Sequence, residues 1–187
     1  MIRPVEPDDL DDVHAMVREL ADYEREPHQA LMTRDQLQAA LFGPSPALFG
    51  HVAINDDDAD DGGATVGFAL WFLNFSTWTG RHGIYLEDLF VRPTARGAGH
   101  GRALLRTLAA VCAERDYSRL EWSVLDWNSP AIEFYRAVGA GPMDGWTVFR
   151  LTGDALVHVA GPPADARRSI GRRSEPPERC PRLRREQ

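Results

Sequence analysis

Lysine is absent from this 187-residue sequence, so all 21 of its basic residues are arginine. Arg and Lys differ chemically only where binding geometry is demanding, and we interpret the absence as a sign of a GC-rich genome. Cysteine is scarce: Cys112 falls in an apolar helical pattern and Cys180 in a polar stretch. Neither has a His or Cys partner at metal-ligand spacing, and the six His residues are scattered. We therefore expect no disulfide framework and no metal site.

Long apolar runs are missing too. No stretch approaches the ~20 residues required to span a bilayer, and the N-terminus has no basic region followed by an apolar one. We expect no membrane segment and a cytoplasmic protein. Hydrophobic residues nevertheless make up 43% of the chain, which is enough for one substantial core and favours a single domain.

Charge is divided unevenly along the chain. Residues 161–187 contain eight Arg and four acidic residues, a net charge of +4, whereas residues 1–160 contain 13 Arg and 24 acidic residues, a net charge of −11. The negative part disfavours nucleic acid and favours a cationic ligand. The positive part has five Pro and few apolar residues, which is typical of disorder. We predict a folded domain over residues 1–160 and a basic, Arg/Pro-rich disordered tail over 161–187.

The order of the apolar patterns predicts an α/β fold in which a mixed sheet is flanked by about four helices. Acids after Pro7 begin the first helix, Thr33 caps the second, a Gly-rich turn precedes the third, and Asn128 caps the fourth. The predicted strands are Ile2–Pro4, Leu48–Ile54, Thr65–Phe75, Gly83–Val91, Leu120–Leu125, Thr147–Leu151 and, as an optional last strand, Ala155–Val159. The stretch 55–63 contains five Asp and is interpreted as a solvated hairpin loop, because a calcium loop would require a further spaced acid after its Gly.

One turn combines glycines with an abrupt change from strand to helix. The segment Arg96-Gly97-Ala98-Gly99-His100-Gly101 follows the strand that Pro93 ends and opens a helix. Glycines let the backbone approach a phosphate closely, and the N–H groups of a helix start attract an anion. A Gly-x-Gly pattern alone is not specific, and a dinucleotide-binding fold would need a different first βαβ unit with an acid about 20 residues later. We interpret this mid-chain turn as an anion cradle.

Further motifs occur in a fixed order around the turn. Leu89-Phe90-Val91-Arg92-Pro93 precedes it, and Asn128-Ser129-Pro130-Ala131-Ile132-Glu133-Phe134-Tyr135 follows it. Together they resemble the GCN5-related N-acetyltransferase (GNAT) superfamily over residues 1 to about 156. The segments Tyr85–Val91, Trp127-Asn128, Phe134-Tyr135 and Asp144-Gly145-Trp146 resemble its diamine (spermidine/spermine) acetyltransferase branch, including the thialysine-acetylating relatives. The resemblance implies a single GNAT fold with a mostly antiparallel, twisted sheet splayed at the cofactor site, acetyl-CoA as co-substrate, no metal, and a homodimer.

The resemblance also implies that a substrate amine attacks the thioester directly in a ternary complex, without an acyl-enzyme. An aliphatic amine has a pKa near ~10.4, so a base must remove a proton at neutral pH. Glu87 is the predicted base, acting directly or through water; strand alternation lets one of Glu87 and Asp88 face solvent but disfavours this for both. Tyr135 is, by resemblance, the acid that protonates the departing thiolate, although spacing alone would favour a packed core Tyr.

The other predicted contacts follow from the same resemblance. The backbone of Leu89, Phe90 and Val91 is expected to pair with the pantetheine amides like an added strand. The pyrophosphate is expected at Arg96, Gly97, Ala98, Gly99, His100, Gly101 and Arg102. Residues expected to border the cofactor are Glu121, Trp122, Ser123, Asn128, Ser129, Pro130, Ala131 and Phe134. An acidic and aromatic set is expected to bind the amine, namely Tyr23, Glu24, Trp78, Glu87, Asp88, Asp144 and Trp146.

Two departures from the branch leave the acceptor open. Ser76 stands where the polyamine-specific enzyme has an acid two residues before its Trp, and Asp144 is one methylene shorter than the Glu found there. A small diamine, polyamine, thialysine-like or aminoglycoside-like amine is therefore expected rather than a long polyamine specifically. Acetylation of a protein N-terminus or lysine is an alternative, because the negative body suits basic peptides. A catalytically silent acetyl-CoA sensor is a third hypothesis, but it would need only the cradle and neither Glu87 nor Tyr135.

Overall fold

Five strands and five α-helices make up the part of the chain that the computed structural model describes, residues 1–55 and 63–161. The strands are β1 (Ile2–Pro4), β2 (Phe49–Asn55), β3 (Ala64–Ser76), β4 (Arg81–Val91) and β5 (Leu120–Glu121). The helices are α1 (Leu10–Tyr23), α2 (Arg34–Phe42), α3 (His100–Glu114), α4 (Ser129–Ala137) and α5 (Gly153–Ala160). The five Asp of the predicted hairpin loop and the predicted tail from residue 162 lie outside the described residues.

The chain separates into two compact units, residues 1–141 and 142–187. The first unit contains the whole sheet, in the order β1-β2-β3-β4-β5. The first three pairings are antiparallel, and β4 and β5 are parallel. This arrangement confirms the predicted α/β fold with a mostly antiparallel sheet.

The parallel pairing of β4 and β5 is very short. It comprises only Ile84 with Leu120 and Tyr85 with Glu121. After these two pairs the ladder stops, although β4 continues to Val91. The predicted strand Leu120–Leu125 is therefore wrong over its last four residues, 122–125, because they have left the partner strand. The divergence opens the sheet beside the last six residues of β4.

A β-bulge interrupts β4 at the point where its two acidic residues lie. Leu70 of β3 pairs with Asp88, whereas the next residue, Trp71, pairs with Leu86. Glu87 is the extra residue, without a partner on β3. A bulge breaks the in-and-out alternation of side chains and bends the strand. Strand periodicity therefore does not decide which of the two carboxylates faces inward.

Apolar side chains pack on both faces of the sheet. Leu10, Val13 and Met16 recur at helical spacing on α1 and lie against one face together with α2, while α3 covers the other face. The two cores comprise Leu10, Val13, Met16, Leu37, Leu41, Val52, Ile54, Phe68, Leu70 and Phe90, and Ala53, Val66, Ala69, Trp71, Ile84, Leu86, Leu104, Leu105, Leu108 and Cys112. The sheet is thus the central layer between two apolar cores, and β4 is one of its inner strands.

Two predicted helix caps are confirmed. The Thr33 hydroxyl accepts a hydrogen bond from the Gln36 N–H (3.2 Å) at the start of α2. The Asn128 carbonyl oxygen accepts one from the Ala131 N–H (3.3 Å) at the start of α4. Such caps satisfy backbone donors that have no partner within the helix. Asn128 thereby fixes the beginning of α4.

The described part of the second unit contains one helix and no strand. The predicted strand Thr147–Leu151 is wrong, because residues 146–152 adopt no regular structure, and residues 155–159 lie within α5. A short apolar run is compatible with either helix or strand, and only a pairing partner makes it a strand. No helix among the described residues is both long and apolar enough to cross a membrane.

Candidate active site

A groove of about 420 Å³ lies in the first unit where β4 and β5 diverge. Its walls come from the end of α1, the second half of β4, the turn before α3, the segment after β5, and α4. The lining residues are Leu20, Tyr23, Glu24, Leu86, Glu87, Asp88, Leu89, Phe90, Val91, Ala95, Arg96, Gly97, Gly99, His100, Gly101, Arg102, Trp122, Ser123, Val124, Asn128, Pro130, Ala131, Phe134 and Tyr135. The local opening of the sheet therefore creates the groove.

One part of the groove suits an anion. Gly97 and Gly99 have φ of +87° and +88°, a conformation that L side chains rarely adopt, and a Cβ at either position would have no neighbour within 4 Å. Their bare backbone thus faces open space just before the 15-residue helix α3, whose N-terminal amides and dipole attract negative charge. Arg96 and Arg102 line the same region. Its chemistry fits a diphosphate.

The exposed edge of β4 suits an extended ligand. Arg92 N–H donates to Val66 O on β3 (2.9 Å), and in an antiparallel ladder alternate residues bond to the same neighbour. Leu89 and Val91 therefore direct their N–H and C=O groups into the groove. The Val91 carbonyl, which this alternation turns away from β3, accepts a hydrogen bond from Arg96 Nε (3.0 Å). A ligand carrying amide groups can pair with this edge as an added strand would.

The opposite part of the groove is acidic. Glu24, Glu87 and Asp88 line it, with Glu87 exposed and Asp88 and Glu24 partly buried. Burial raises the pKa of Asp88 to about 6, and the charges of Glu87 and Glu24 act in the same direction. Burial also raises the pKa of Glu24. The bulge in β4 brings two consecutive carboxylates to one groove, and three acids together favour a cationic ligand.

Tyr135 lies on α4 against an aromatic wall. Its ring centroid is 4.9 Å from that of Trp122 and 5.3 Å from that of Phe134. Burial raises the pKa of Tyr135 to about 12, with the charge of Glu24 as the second cause. The hydroxyl therefore stays protonated throughout the physiological range and can donate a proton.

The end of α1 is bonded to the start of α4 across the groove. The Tyr23 hydroxyl donates to Asn128 Oδ1 (3.1 Å), and the Tyr23 ring lies 6.1 Å from the Trp127 ring. The Arg96 guanidinium carbon lies 5.1 Å from the Tyr23 ring centroid. Tyr23 thus connects the acidic part of the groove with the cationic part.

Most of the predicted site residues line the groove, but several do not. Ala98, Glu121 and Ser129 are not among the lining residues. The Glu121 carboxylate instead accepts hydrogen bonds from Arg119 Nε (2.6 Å) and Asn74 Nδ2 (2.8 Å), so its role is structural. Trp78 is 89% exposed in the turn between β3 and β4, at the end of β4 remote from Val91. Asp144 and Trp146 belong to the second unit and stay predictions.

Four lining residues were not predicted from the sequence, namely Leu20, Leu86, Ala95 and Val124. All four are apolar and adjoin predicted positions in the sequence or on the same helix face. Leu20, one helical turn before Glu24, and Leu86, beside Glu87, could have been found from their spacing to the acids. Val124 could not, because its place depends on the divergence of β5 from β4.

Three features of the groove fit acetyl-CoA: the bare cradle at Gly97 and Gly99, the N-terminus of α3, and the edge of β4 beyond its pairing with β5. Among the described residues, no group of three or more His, Cys, Asp or Glu side chains is placed to hold a metal ion.

Similar proteins agree with this interpretation. Residues 13–140 match the acetyltransferase (GNAT) family. A thialysine N-epsilon-acetyltransferase of Bos taurus is 36% identical over 166 residues, covering 86% of this chain and 97% of that protein. An L-ornithine N5-acetyltransferase of Arabidopsis thaliana is 30% identical over 194 residues, covering 83% and 85%. Among solved structures, an integron cassette protein of V. cholerae matches with a TM-score of 0.70 at 26% identity, covering 86% and 96%. The family match and these identities show that the chain belongs to the GNAT acetyltransferase family and is an N-acetyltransferase.

Proposed function

We propose that this chain transfers the acetyl group of acetyl-CoA to a primary amine of a small molecule. The observation that carries the proposal is the polarity of one groove, which is cationic and glycine-rich at the N-terminus of α3 and acidic at Glu24, Glu87 and Asp88. A diphosphate suits the first part and an ammonium group the second. The reacting groups would meet between them, where Tyr135 lies.

The cofactor would be held mainly by backbone groups. The cradle at Gly97 and Gly99 and the first amides of α3 would bind the pyrophosphate, with Arg96 and Arg102 adding positive charge. Leu89 and Val91 would pair with the pantetheine amides. Acetyl-CoA, when bound, supplies the activated acetyl thioester. The protein's contribution is to orient that thioester and to move two protons.

The base is one of the two acids at the bulge. An ammonium group must lose its proton before its nitrogen can attack, and a base whose pKa lies near the working pH does this best. Asp88, with a pKa of about 6 in a partly buried position, meets this requirement. Glu87, the base expected from the sequence, lines the same groove but is exposed. Burial therefore shifts our preference to Asp88, with Glu87 and Glu24 holding the cation.

Tyr135 is the proposed acid. The Tyr135 hydroxyl would give its proton to the sulfur that departs with the electron pair of the broken carbon–sulfur bond. A protonated phenol with a pKa of about 12 keeps that proton until a thiolate forms beside it. The attacking nitrogen, positively charged once its bond to carbon has formed, would lose its second proton to solvent as the amide forms, and solvent would return a proton to the phenolate before the next cycle.

The acceptor is proposed to be a diamine, a polyamine or a basic amino acid of the thialysine or ornithine type. Relatives named for thialysine and L-ornithine support an amino acid with a terminal amine. The three acids around one groove support a ligand with positive charge beyond the reacting nitrogen. Aromatic rings near these acids, such as Tyr23, add cation–π attraction of about 0.5–2 kcal/mol.

An amine panel tests the proposal directly. Thialysine, ornithine, putrescine, spermidine, an aminoglycoside and a peptide with a free N-terminus are each incubated with acetyl-CoA, and thiol release is followed with a chromogenic disulfide. We expect turnover with at least one of the small amines at low micromolar enzyme. Turnover only with the peptide would favour the protein acetyltransferase alternative. Tight binding of acetyl-CoA by calorimetry without turnover of any amine would favour the sensor.

Three further properties stay predictions. A homodimer is supported by apolar side chains that the second unit exposes, such as Val148 at 87% and Phe149 at 91%, and light scattering would measure it. The cytoplasmic location and the domain boundary at residue 160 rest on composition. Proteolysis of the purified protein would test the boundary, because a disordered tail is cut first.

A further inference from the structure

The end of α1 beside Glu24 has a backbone conformation that its sequence does not favour. Arg25 has φ +66°, in the left-handed region, at the position after a helix where glycine is usual. Two backbone hydrogen bonds close the turn: Arg25 N–H donates to Asp22 O (3.1 Å) and Glu26 N–H to Ala21 O (2.9 Å). A non-glycine residue in this conformation is strained. A favourable contact of the Arg25 side chain would offset that strain.

That side chain contacts the segment before α4. The guanidinium carbon of Arg25 lies 4.8 Å from the Trp127 ring centroid, within the range of a cation–π contact. Tyr23, two residues earlier, approaches the same ring and donates a hydrogen bond to Asn128. The four residues Tyr23, Arg25, Trp127 and Asn128 thus form one contact set, here called the clasp.

Glu24 lies in the sequence between Tyr23 and Arg25, the two members of the clasp at the end of α1. Its carboxylate lines the groove, and its charge contributes to the raised pKa values of both Asp88 and Tyr135. Electrostatic effects of this kind depend on the distance between the groups. The position of the last turn of α1 therefore affects the binding of a cation and both proton-transfer groups.

We propose that Arg25 is a positioning residue for the amine part of the groove: by stacking on Trp127 it fixes the end of α1 against the start of α4 and thereby holds Glu24 in place. The inference rests on the proposed acetylation of a small amine. Arg25 does not line the groove and is not assigned a catalytic role. Arg25 would perform this role through its contact with the Trp127 ring.

Arg25→Asn is the main test, because Asn tolerates the left-handed conformation and removes the cation. We expect the KM for the best amine to rise about 2- to 5-fold, the factor that a cation–π contact at an exposed site is worth. The kcat and the KM for acetyl-CoA should change less than 2-fold. Arg25→Lys, which retains a cation, should restore at least half of the loss.

Asp116→Asn provides a matched control. Asp116 also has positive φ (+55°), follows a helix, and pairs with Arg81 away from the groove. Its replacement should leave the KM for the amine unchanged. An equal rise in this variant, or an unchanged KM in Arg25→Asn, would overturn the proposal.

Hydrogen–deuterium exchange gives a readout that does not require turnover. In Arg25→Asn we expect faster exchange over residues 20–26 and 127–131 and unchanged exchange in β2 and β3. If the wild-type protein acetylates no amine but shows this pattern on substitution, the proposed function fails while the clasp stands. Unchanged exchange in both segments would refute the clasp whatever the enzyme acetylates.

Discussion

Replacing Asp88 by Asn removes a carboxylate that the folded chain holds in an unfavourable environment. Burial and the neighbouring charges of Glu87 and Glu24 raise its pKa from 3.8 to about 6. Since one pH unit corresponds to about 1.4 kcal/mol, the full shift amounts to at most about 3 kcal/mol of lost stability at neutral pH. Asn has nearly the same shape and no charge. We therefore expect Asp88→Asn to increase the free energy of unfolding by about 1–3 kcal/mol at pH 7.5, while lowering kcat by at least about 100-fold.

The pH dependence gives the sharper test. A raised pKa means that the folded state binds more protons than the unfolded state between pH 4 and 6, so this contribution destabilises the wild type progressively as pH rises through that window. The stability difference between Asp88→Asn and wild type should be near zero at pH 4 and complete above pH 7. For catalysis the sign is opposite, because the base must be ionised, and wild-type kcat/KM should fall about tenfold per pH unit below about 6.

Urea unfolding at pH 4, 5.5 and 7.5 measures the stability difference, and initial rates from pH 5 to 9 measure the activity. Glu87→Gln is the matched control, an exposed neighbouring carboxylate changed to an amide. It should retain most of the kcat but raise the KM for the amine, because Glu87 is proposed to hold the cation. The pH below which activity falls should move lower, because one charge that raises the pKa of Asp88 is gone. A gain in the stability of Asp88→Asn that does not depend on pH would refute the raised pKa of Asp88. Loss of activity in Glu87→Gln together with retained activity in Asp88→Asn would refute our assignment of the base.

Two further substitutions test the acid and the cradle. Tyr135→Phe should lower kcat by about 10²–10⁴-fold with the Kd for acetyl-CoA nearly unchanged. The control Tyr117→Phe, outside the groove, should change neither quantity. An unaltered kcat in Tyr135→Phe would exclude Tyr135 as the acid. Gly99→Ala should weaken acetyl-CoA binding about tenfold by calorimetry, because a methyl group would protrude where the phosphate is expected. Gly80→Ala is its control, since Gly80 also has positive φ and open space around it but lies in the β3–β4 turn. Both Ala variants should lose about 1 kcal/mol of stability, and equal cofactor affinities would argue against the cradle.

Features that depend on a few neighbouring residues could be predicted from the sequence. The caps at Thr33 and Asn128 are examples, because the capping side chain and its backbone donors lie within three residues of each other. The positive φ of Gly97 and Gly99 is another, since closely spaced glycines between a strand and a helix indicate a turn that side chains would disfavour. The helical spacing of Leu10 and Val13 likewise indicates the face of α1 that enters the core.

Features that depend on pairing between distant segments could not be predicted. The ends of β5 are set by where it leaves β4, and nothing in Leu120–Leu125 marks that point. The strand expected at Thr147–Leu151 had suitable residues, but these residues adopt no regular structure. Arg25 gave no signal either, because a left-handed turn after a helix is normally indicated by glycine.

The bulge at Glu87 shows why the choice of base depends on tertiary structure. Regular alternation would place Glu87 and Asp88 on opposite faces, so that only one of them could enter the groove. The extra residue in β4 removes that alternation and lets both carboxylates line the groove while differing in burial. Because burial rather than residue type distinguishes the two carboxylates, the assignment follows from the register of β4 against β3. Deletion of Glu87 leaves Leu86 and Asp88 opposite Trp71 and Leu70 as before, but removes the bulge and the bend that it imposes on β4. The Asp88 carboxylate should then be aimed differently, and kcat should fall even though Asp88 and Tyr135 are retained; kcat measured on a folded deletion variant would test this.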